Sequence, residues 1–418
     1  MMSEKPTMRL VAVLLLGVLV LVAPLVRPAA ARSMEKDFRN WLEGEFRPRA
    51  LKHGIPRRLF DAALGHARPN LKLPDLALPG RPYVPRAQRQ TEFAAPRRYF
   101  NERSLRILSR RGRGLMARHR RLLERITRRY GVPGEIVIAI WGRESNFGAA
   151  RIPHDAFAIL ATQAWAGRRR EKFARELLAA LAIVARGHAS LKDMKSSWAG
   201  ALGQPQMMPT AYLEYAVDFD GDGRRDIWRS VPDILASIAN HLRKSGWRRD
   251  RGWGYEVTVP ASVSCALEGP DQGRAMARWA KMGIRRVKGR RFPPRELKRT
   301  GFLLMPAGRF GPAFLVTENF YVLKEYNMSD LYALFVGHLG DRIRRGDHGF
   351  SRPWGDVGHM WRSEVARMQR KLEKLGHDVG GADGLPGYKT RRSIGRWQRA
   401  KGMRQTCFPT RKLKELLR

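Results

Sequence analysis

Apolar residues recur at every third or fourth position through most of this sequence, and near Tyr255 the period drops to two. That switch constrains the fold more than any other feature. Helices must each bury one stripe, and a short β-rich part must be fitted among them. Phe38, Trp41, Leu42 and Phe46 carry the helical spacing between Ser33 and Gly65, and it resumes from Tyr99 through Leu122, Leu123 and Ile126. Glu171–Arg186 reads as a helix with Phe173, Leu177, Leu178, Leu181 and Val184 inward, and Val231–Ser245 as another. Val257, Val259 and Val263 then alternate with small or polar residues, and Gly301–Thr317 is short, apolar and glycine-punctuated, which predicts strands. Helix returns after Ser329, a good N-cap, with Tyr332, Phe335, Val336, Leu339 and Ile343 on one face. The expected fold is mainly α with a small β-rich insertion over about residues 255–317.

The punctuation sets the organisation. A proline-rich stretch, Pro69–Pro96, must run as surface loop, and GDHGFSRPWG over Gly346–Gly355 reads as a turn-rich linker. Expected boundaries are residues 1–31, 32–345, a linker at 346–358, and a basic module at 359–418. In that module Val365, Met368, Leu372 and Leu375 make one helix, while Ile394 and Trp397 mark a second. At the N-terminus, Lys5 and Arg9 precede an apolar run from Leu10 to Ala23, and Ala29-Ala30-Ala31 supplies small residues before Arg32. This is the pattern of a cleavable export signal, with an uncleaved inner-membrane anchor as the alternative. A periplasmic location follows. The chain carries 80 Lys+Arg against 38 Asp+Glu, a net charge of +42, which favours polyanionic surroundings such as nucleic acid, membrane or cell wall. Export, and the lack of a recognition motif, exclude nucleic acid as a partner. The two cysteines, Cys265 and Cys407, are too far apart in sequence to say whether they pair.

One carboxylate stands out. In PGEIVIAIWGRESNFG, Pro133 suits a helix start and Gly148 its stop, and Glu144 shares a face with Val137, Ile140, Trp141 and Phe147. Arg143 turns away. Apolar neighbours and the negative end of the helix dipole both favour the neutral acid. A carboxylic acid kept protonated near neutral pH can protonate a glycosidic oxygen. Asp155 and Glu135 are the nearest candidates for a second carboxylate. Between Ser196 and Pro209, Gly200, Gly203, Pro205 and Pro209 enforce tight turns around Gln204 and Gln206, whose amides suit sugar hydroxyls and acetamido groups. Trp141, Trp165 and Trp198 are candidates for stacking on sugars, with packing as the commoner fate.

Three blocks, GVPGEIVIAIWGRESNFG, SSWAGALGQPQMMPTAYLEYAVDFDGDGRRDIW and YNMSDLYALFVGHLGDRI, resemble the membrane-bound lytic transglycosylase B family, in the family's order. The similarity covers roughly residues 35–345. It implies a lysozyme-like fold and non-hydrolytic cleavage of the MurNAc–GlcNAc β-1,4 bond of peptidoglycan. The glutamate matching Glu144 acts there first as acid, then as base for the muramic 6-hydroxyl, closing a 1,6-anhydro ring. Such an intramolecular nucleophile removes the need for the two carboxylates of ordinary glycosidases. By the same resemblance Ser197, Gln206, Tyr326, Asn327 and Tyr332 are cleft residues, and Arg168 and Arg169 face the glycan or its peptide.

Asp218, Asp220 and Asp222 with Gly223 match positions one, three, five and six of an EF-hand loop, but position twelve is Arg229 rather than glutamate. The resembling family closes its loop with a later aspartate. Asp233 is then the closing ligand, one residue later than expected, and the Arg224 carbonyl the middle one. The implied metal is a structural Ca2+; no organic cofactor is implied. The tail, MQRKLEKLGHDVGGADGLPGYKTRRSIGRWQRAKGM, resembles the three-helix peptidoglycan-binding domain through Asp383-Gly384, Gly387, Thr390, Ile394, Trp397 and Gln398, with Pro386 replacing the usual aliphatic residue. A basic module of this kind concentrates an exported enzyme at an anionic wall. The expected partner is peptidoglycan, acted on by a monomer, with other cell-wall enzymes as candidate partners. A hydrolytic muramidase on the same fold and a non-catalytic wall-binding protein stay open as alternatives.

Overall fold

The computed structural model describes residues 29–78, 96–358 and 360–417. The expected export signal therefore lies outside the described residues as far as position 28, and the proline-rich stretch is described only to residue 78 and from Pro96. Among the described residues no helix is long and apolar enough to cross a membrane.

The Gly134–Ser145 helix sits at the centre of the larger helical domain, packed by the Glu102–Arg118, Arg120–Tyr130, Val231–Lys244 and Asp330–Arg345 helices. Its sequence explains the placement. Ile136, Val137, Ile138, Ala139 and Ile140 are all buried, so the helix is apolar all round and can only sit inside. Gly340 lets the Asp330–Arg345 helix approach closely, since a Cβ there would lie 2.9 Å from Ile136 Cδ1. The start at Pro133 is as expected, but the stop comes earlier than Gly148. Asn146, Phe147 and Gly148 adopt φ of 51°, 59° and 79°, so Asn146 already takes the left-handed cap that asparagine tolerates.

The fold is mainly α with a small antiparallel insertion, as the change of period implies. Five strands run in the order Arg274–Ala275, Thr300–Leu304, Ala313–Val316, Gly254–Thr258 and Arg285–Arg286. Leu303 pairs with Leu315 and Val257 with Ala313. These residues face a separate core around Trp279 and Val263. Leu304, Phe314 and Val316 face the main helical core instead. Both sheet faces are covered, which is why Gly301–Thr317 reads as apolar throughout instead of alternating.

The C-terminal module has helices Arg362–Lys374, Tyr388–Ala400 and Arg411–Leu416. Leu375 caps the first and is 56% exposed, so it is not on the inner face. The module is docked rather than hung on a loose tether. Cys265 in the insertion is disulfide-bonded to Cys407. Glu268 takes a buried two-point contact from Arg391 at 2.6 and 2.9 Å. The segment preceding the module is packed too, with Trp354 stacked 5.0 Å from Phe100 and Phe350 4.0 Å from His338. Its aromatic residues, not its glycines, decide its fate.

Candidate active site

Glu144 lies in the last turn of its helix and is half-buried. Tyr332 donates its hydroxyl to Glu144 Oε1 at 2.5 Å. The tyrosine is 2% exposed and is delivered by the first turn of the Asp330–Arg345 helix, where Ser329 Oγ accepts from the Tyr332 amide at 3.3 Å. Burial raises the Glu144 pKa to about 7, with the Tyr332 hydrogen bond and the Arg143 charge pulling against it. Arg143 itself turns away, donating to the Tyr99 hydroxyl at 2.8 Å. Each candidate for a second carboxylate is engaged elsewhere. Asp155 caps the Ala156–Ala166 helix through the Ala158 amide at 2.8 Å, and Glu135 pairs with Arg344 at 3.3 Å.

Behind the acid stands an aromatic stack. The Tyr326 and Tyr332 rings lie parallel, 6.4 Å apart, and Tyr326 rests on His241, which stacks on Tyr215 at 4.1 Å. Burial lowers the His241 pKa to about 4, so the platform is neutral. The Tyr326 hydroxyl donates to the Pro205 carbonyl at 2.7 Å, tying the stack to the Gly203–Gln206 turn. Gln206 occupies φ 55° and donates to the Gly203 carbonyl at 2.9 Å. Gln204 is consumed by structure. It accepts from Trp141 Nε1 and donates to the Trp228 carbonyl, both at 2.7 Å. Gly148 is needed beside it, because a Cβ there would fall 2.3 Å from Gln204 Oε1.

The other expected residues are distributed unevenly. Ser197 is half-buried, its Oγ accepting from the Ala201 amide at 3.2 Å. Asn327 is exposed and accepts from the Ser329 amide at 3.1 Å, next to the helix that carries Tyr332. Trp141 and Trp165 are core residues, whereas Trp198 is 54% exposed beside Ser197. Arg168 and Arg169 stand apart at the end of the Ala156–Ala166 helix. With Ala77 and Arg170–Lys172 they line a recess of about 690 Å³ that contains none of the residues around Glu144. The Tyr215–His241 support was missed from sequence, since a buried histidine on an apolar helix face carries no distinguishing pattern.

The acidic loop also assembles. Oxygens of Asp218, Asp220, Asp222 and Asp233 lie within 4.8 Å of one another. Asp233 is buried, and its two oxygens accept from the Phe219 amide at 2.7 Å and the Asp226 amide at 2.8 Å. Burial raises its pKa to about 6, and the Asp220 charge adds to the rise. Arg229 pairs with Asp193 at 2.9 Å and Asp226 at 3.3 Å, so the residue in the twelfth position leaves the cluster instead of neutralising it. The Arg224 amide donates to Asp222 Oδ1 at 2.8 Å. Four carboxylates gathered with no arginine paired to them among the described residues suit a hard divalent cation with oxygen ligands.

A mainly helical domain holding one half-buried acid against a tyrosine, with a small helical module docked behind it, defines the class. The chain belongs to the family of transglycosylase SLT domains, which matches residues 37–341, and residues 362–417 match a peptidoglycan binding domain. A curated relative, membrane-bound lytic murein transglycosylase B of Escherichia coli (strain K12), is 31% identical over 226 residues, or 53% of this chain. The chain spans about 60% of that relative's length. Among solved structures, SltB3 from Pseudomonas aeruginosa in complex with NAG-NAM-pentapeptide is 38% identical, with a TM-score of 0.81 over 91% of this chain and 99% of that one. The Escherichia coli lytic transglycosylase SLT35 in complex with calcium shares the fold, with a TM-score of 0.56 and 24% identity over 76% of this chain and 94% of that one.

Proposed function

We propose that this protein is a periplasmic lytic transglycosylase that cleaves the MurNAc–GlcNAc β-1,4 bond of peptidoglycan without water, leaving 1,6-anhydro-MurNAc ends. The observation that carries the reading is the Tyr332–Glu144 pair. Because Tyr332 donates to Oε1, the proton of the neutral acid resides on Oε2 and is free for the glycosidic oxygen. A pKa of about 7 leaves enough acid in place at neutral pH. Once the proton is given up, the Tyr332 hydroxyl stabilises the new carboxylate, which then takes the proton of the muramic 6-hydroxyl. That oxygen closes on C1 while the leaving GlcNAc oxygen keeps the proton from Glu144, so the balance needs no water. The engagement of Asp155 and Glu135 elsewhere supports an internal nucleophile over a second carboxylate.

Ser197, Gln206, Asn327 and exposed Trp198 are assigned to sugar contacts, and Arg168 and Arg169 to a more distant part of the glycan or its peptide. Asp218, Asp220, Asp222, Asp233 and the Arg224 carbonyl are assigned to a structural Ca2+, which would supply charge neutralisation and no step of the reaction. The C-terminal module binds the wall, and the N-terminal apolar run directs export. The direct experiment is Glu144→Gln on purified murein. Cleavage should fall by about 10²–10⁴-fold, the range for losing a general acid–base residue, while sedimentation with murein is retained. Turnover near the wild-type rate would remove Glu144 from the mechanism.

A further inference from the structure

Arg391 belongs to the C-terminal module yet is only 3% exposed. Its Nε and one terminal nitrogen bracket Glu268 at 2.9 and 2.6 Å, and the other terminal nitrogen donates to the Pro386 carbonyl at 2.8 Å. The nitrogen at 2.6 Å from Glu268 also reaches Asp330 at 3.1 Å. Asp330 is the first residue of the helix that delivers Tyr332, and its other oxygen accepts from Lys324 at 2.7 Å. Glu268 is fully buried and accepts from the Met305 amide at 2.8 Å as well. Burial raises the Glu268 pKa, with the Arg391 charge opposing the rise and the Asp330 charge adding to it, while Lys324 and Arg391 together hold the Asp330 carboxyl low against its burial. A charge network this buried is costly unless each member is satisfied, and its geometry is correspondingly fixed.

We propose that Arg391 is a positioning residue for the acid. The module sets the first turn of the Asp330–Arg345 helix through Asp330, and that turn decides where the Tyr332 hydroxyl meets Glu144. The proposal rests on the reading of Glu144 as the acid. Arg392 supplies an internal control. It pairs with Asp271 and with the Glu268 carbonyl, and so helps dock the same module without touching Asp330.

The test uses the full chain with Asp330→Asn, Arg391→Lys and Arg392→Gln, comparing cleavage of uncrosslinked glycan strands across the neutral pH range with thermal melting. Asp330→Asn and Arg391→Lys should each lower kcat about tenfold with KM little changed, within the hundredfold that a misplacement of ~1 Å can cost. The alkaline limb of their rate profiles should move to higher pH as the Tyr332 hold on the carboxylate loosens. Arg392→Gln should keep the wild-type kcat and limb. If Arg391→Lys does not fold, Asp330→Asn carries the test, because it leaves the Arg391–Glu268 pair in place. Wild-type kcat and limb in Asp330→Asn would overturn the proposal. So would an equal loss in Arg392→Gln, since docking alone would then explain the effect. A failure of the underlying reading shows itself separately, as cleavage by Glu144→Gln.

Discussion

Glu144 should be a measurable burden on stability, and the burden should depend on pH. Folding raises its carboxyl from the ordinary 4.5 to about 7, chiefly by burial. Between those values the folded chain binds more protons here than the unfolded chain, so stability falls as pH rises through the window. The burden is absent below 4.5, where both states are protonated, and complete above 7. A rise from 4.5 to about 7 corresponds to about 3 kcal/mol at pH well above 7. Glu144→Gln removes the titration while keeping a carbonyl oxygen for the Tyr332 hydroxyl. The variant should melt with the wild type near pH 4.5 and above it near pH 9, by about 3–4 °C for a chain of this length. Groups elsewhere titrate alike in both proteins and cancel. Equal melting at both pH values would refute the claim that burial holds this acid neutral.

Three further perturbations follow from the same structure. Tyr332→Phe removes the hydrogen bond that lowers the Glu144 pKa, so the alkaline limb of the rate profile should rise by about one pH unit with a lower kcat; an unmoved limb counts against the pair. If the aspartate cluster holds a cation, chelation should lower the melting temperature by about 3 °C, the equivalent of losing a ligand present at about a hundred times its Kd. An unchanged melt would remove the metal. Replacing Cys265 and Cys407 by serine opens a loop of 142 residues and should cost up to about 5 kcal/mol on the chain-entropy account, read by denaturant unfolding with reduced wild type as control.

Much of this was legible because the signals were local. The apolar girdle around Glu144, the tight turns at Gly200 and Gly203, whose φ are 86° and 61°, and the drop in period at Tyr255 each act over a few residues. The blocks matching the family lie in one order along the chain, so the family was visible too. What stayed hidden depends on contacts between distant segments. Gln204 reads as a sugar ligand until Trp141 and Trp228 claim both ends of its amide. Gly346–Gly355 reads as a linker until Phe350 and Trp354 find His338 and Phe100. The Cys265–Cys407 bond and the Arg391–Glu268 pair join elements more than a hundred residues apart, and no periodicity announces such partners.

Purified murein digested with the wild-type protein, followed by mass analysis of the muropeptides, tests the central claim most directly. Ring closure by the substrate's own 6-hydroxyl predicts terminal muramic residues lighter by one water than reducing ends. Reducing ends that carry solvent oxygen when the digestion is run in 18O-labelled water would mean hydrolysis, and would contradict the account.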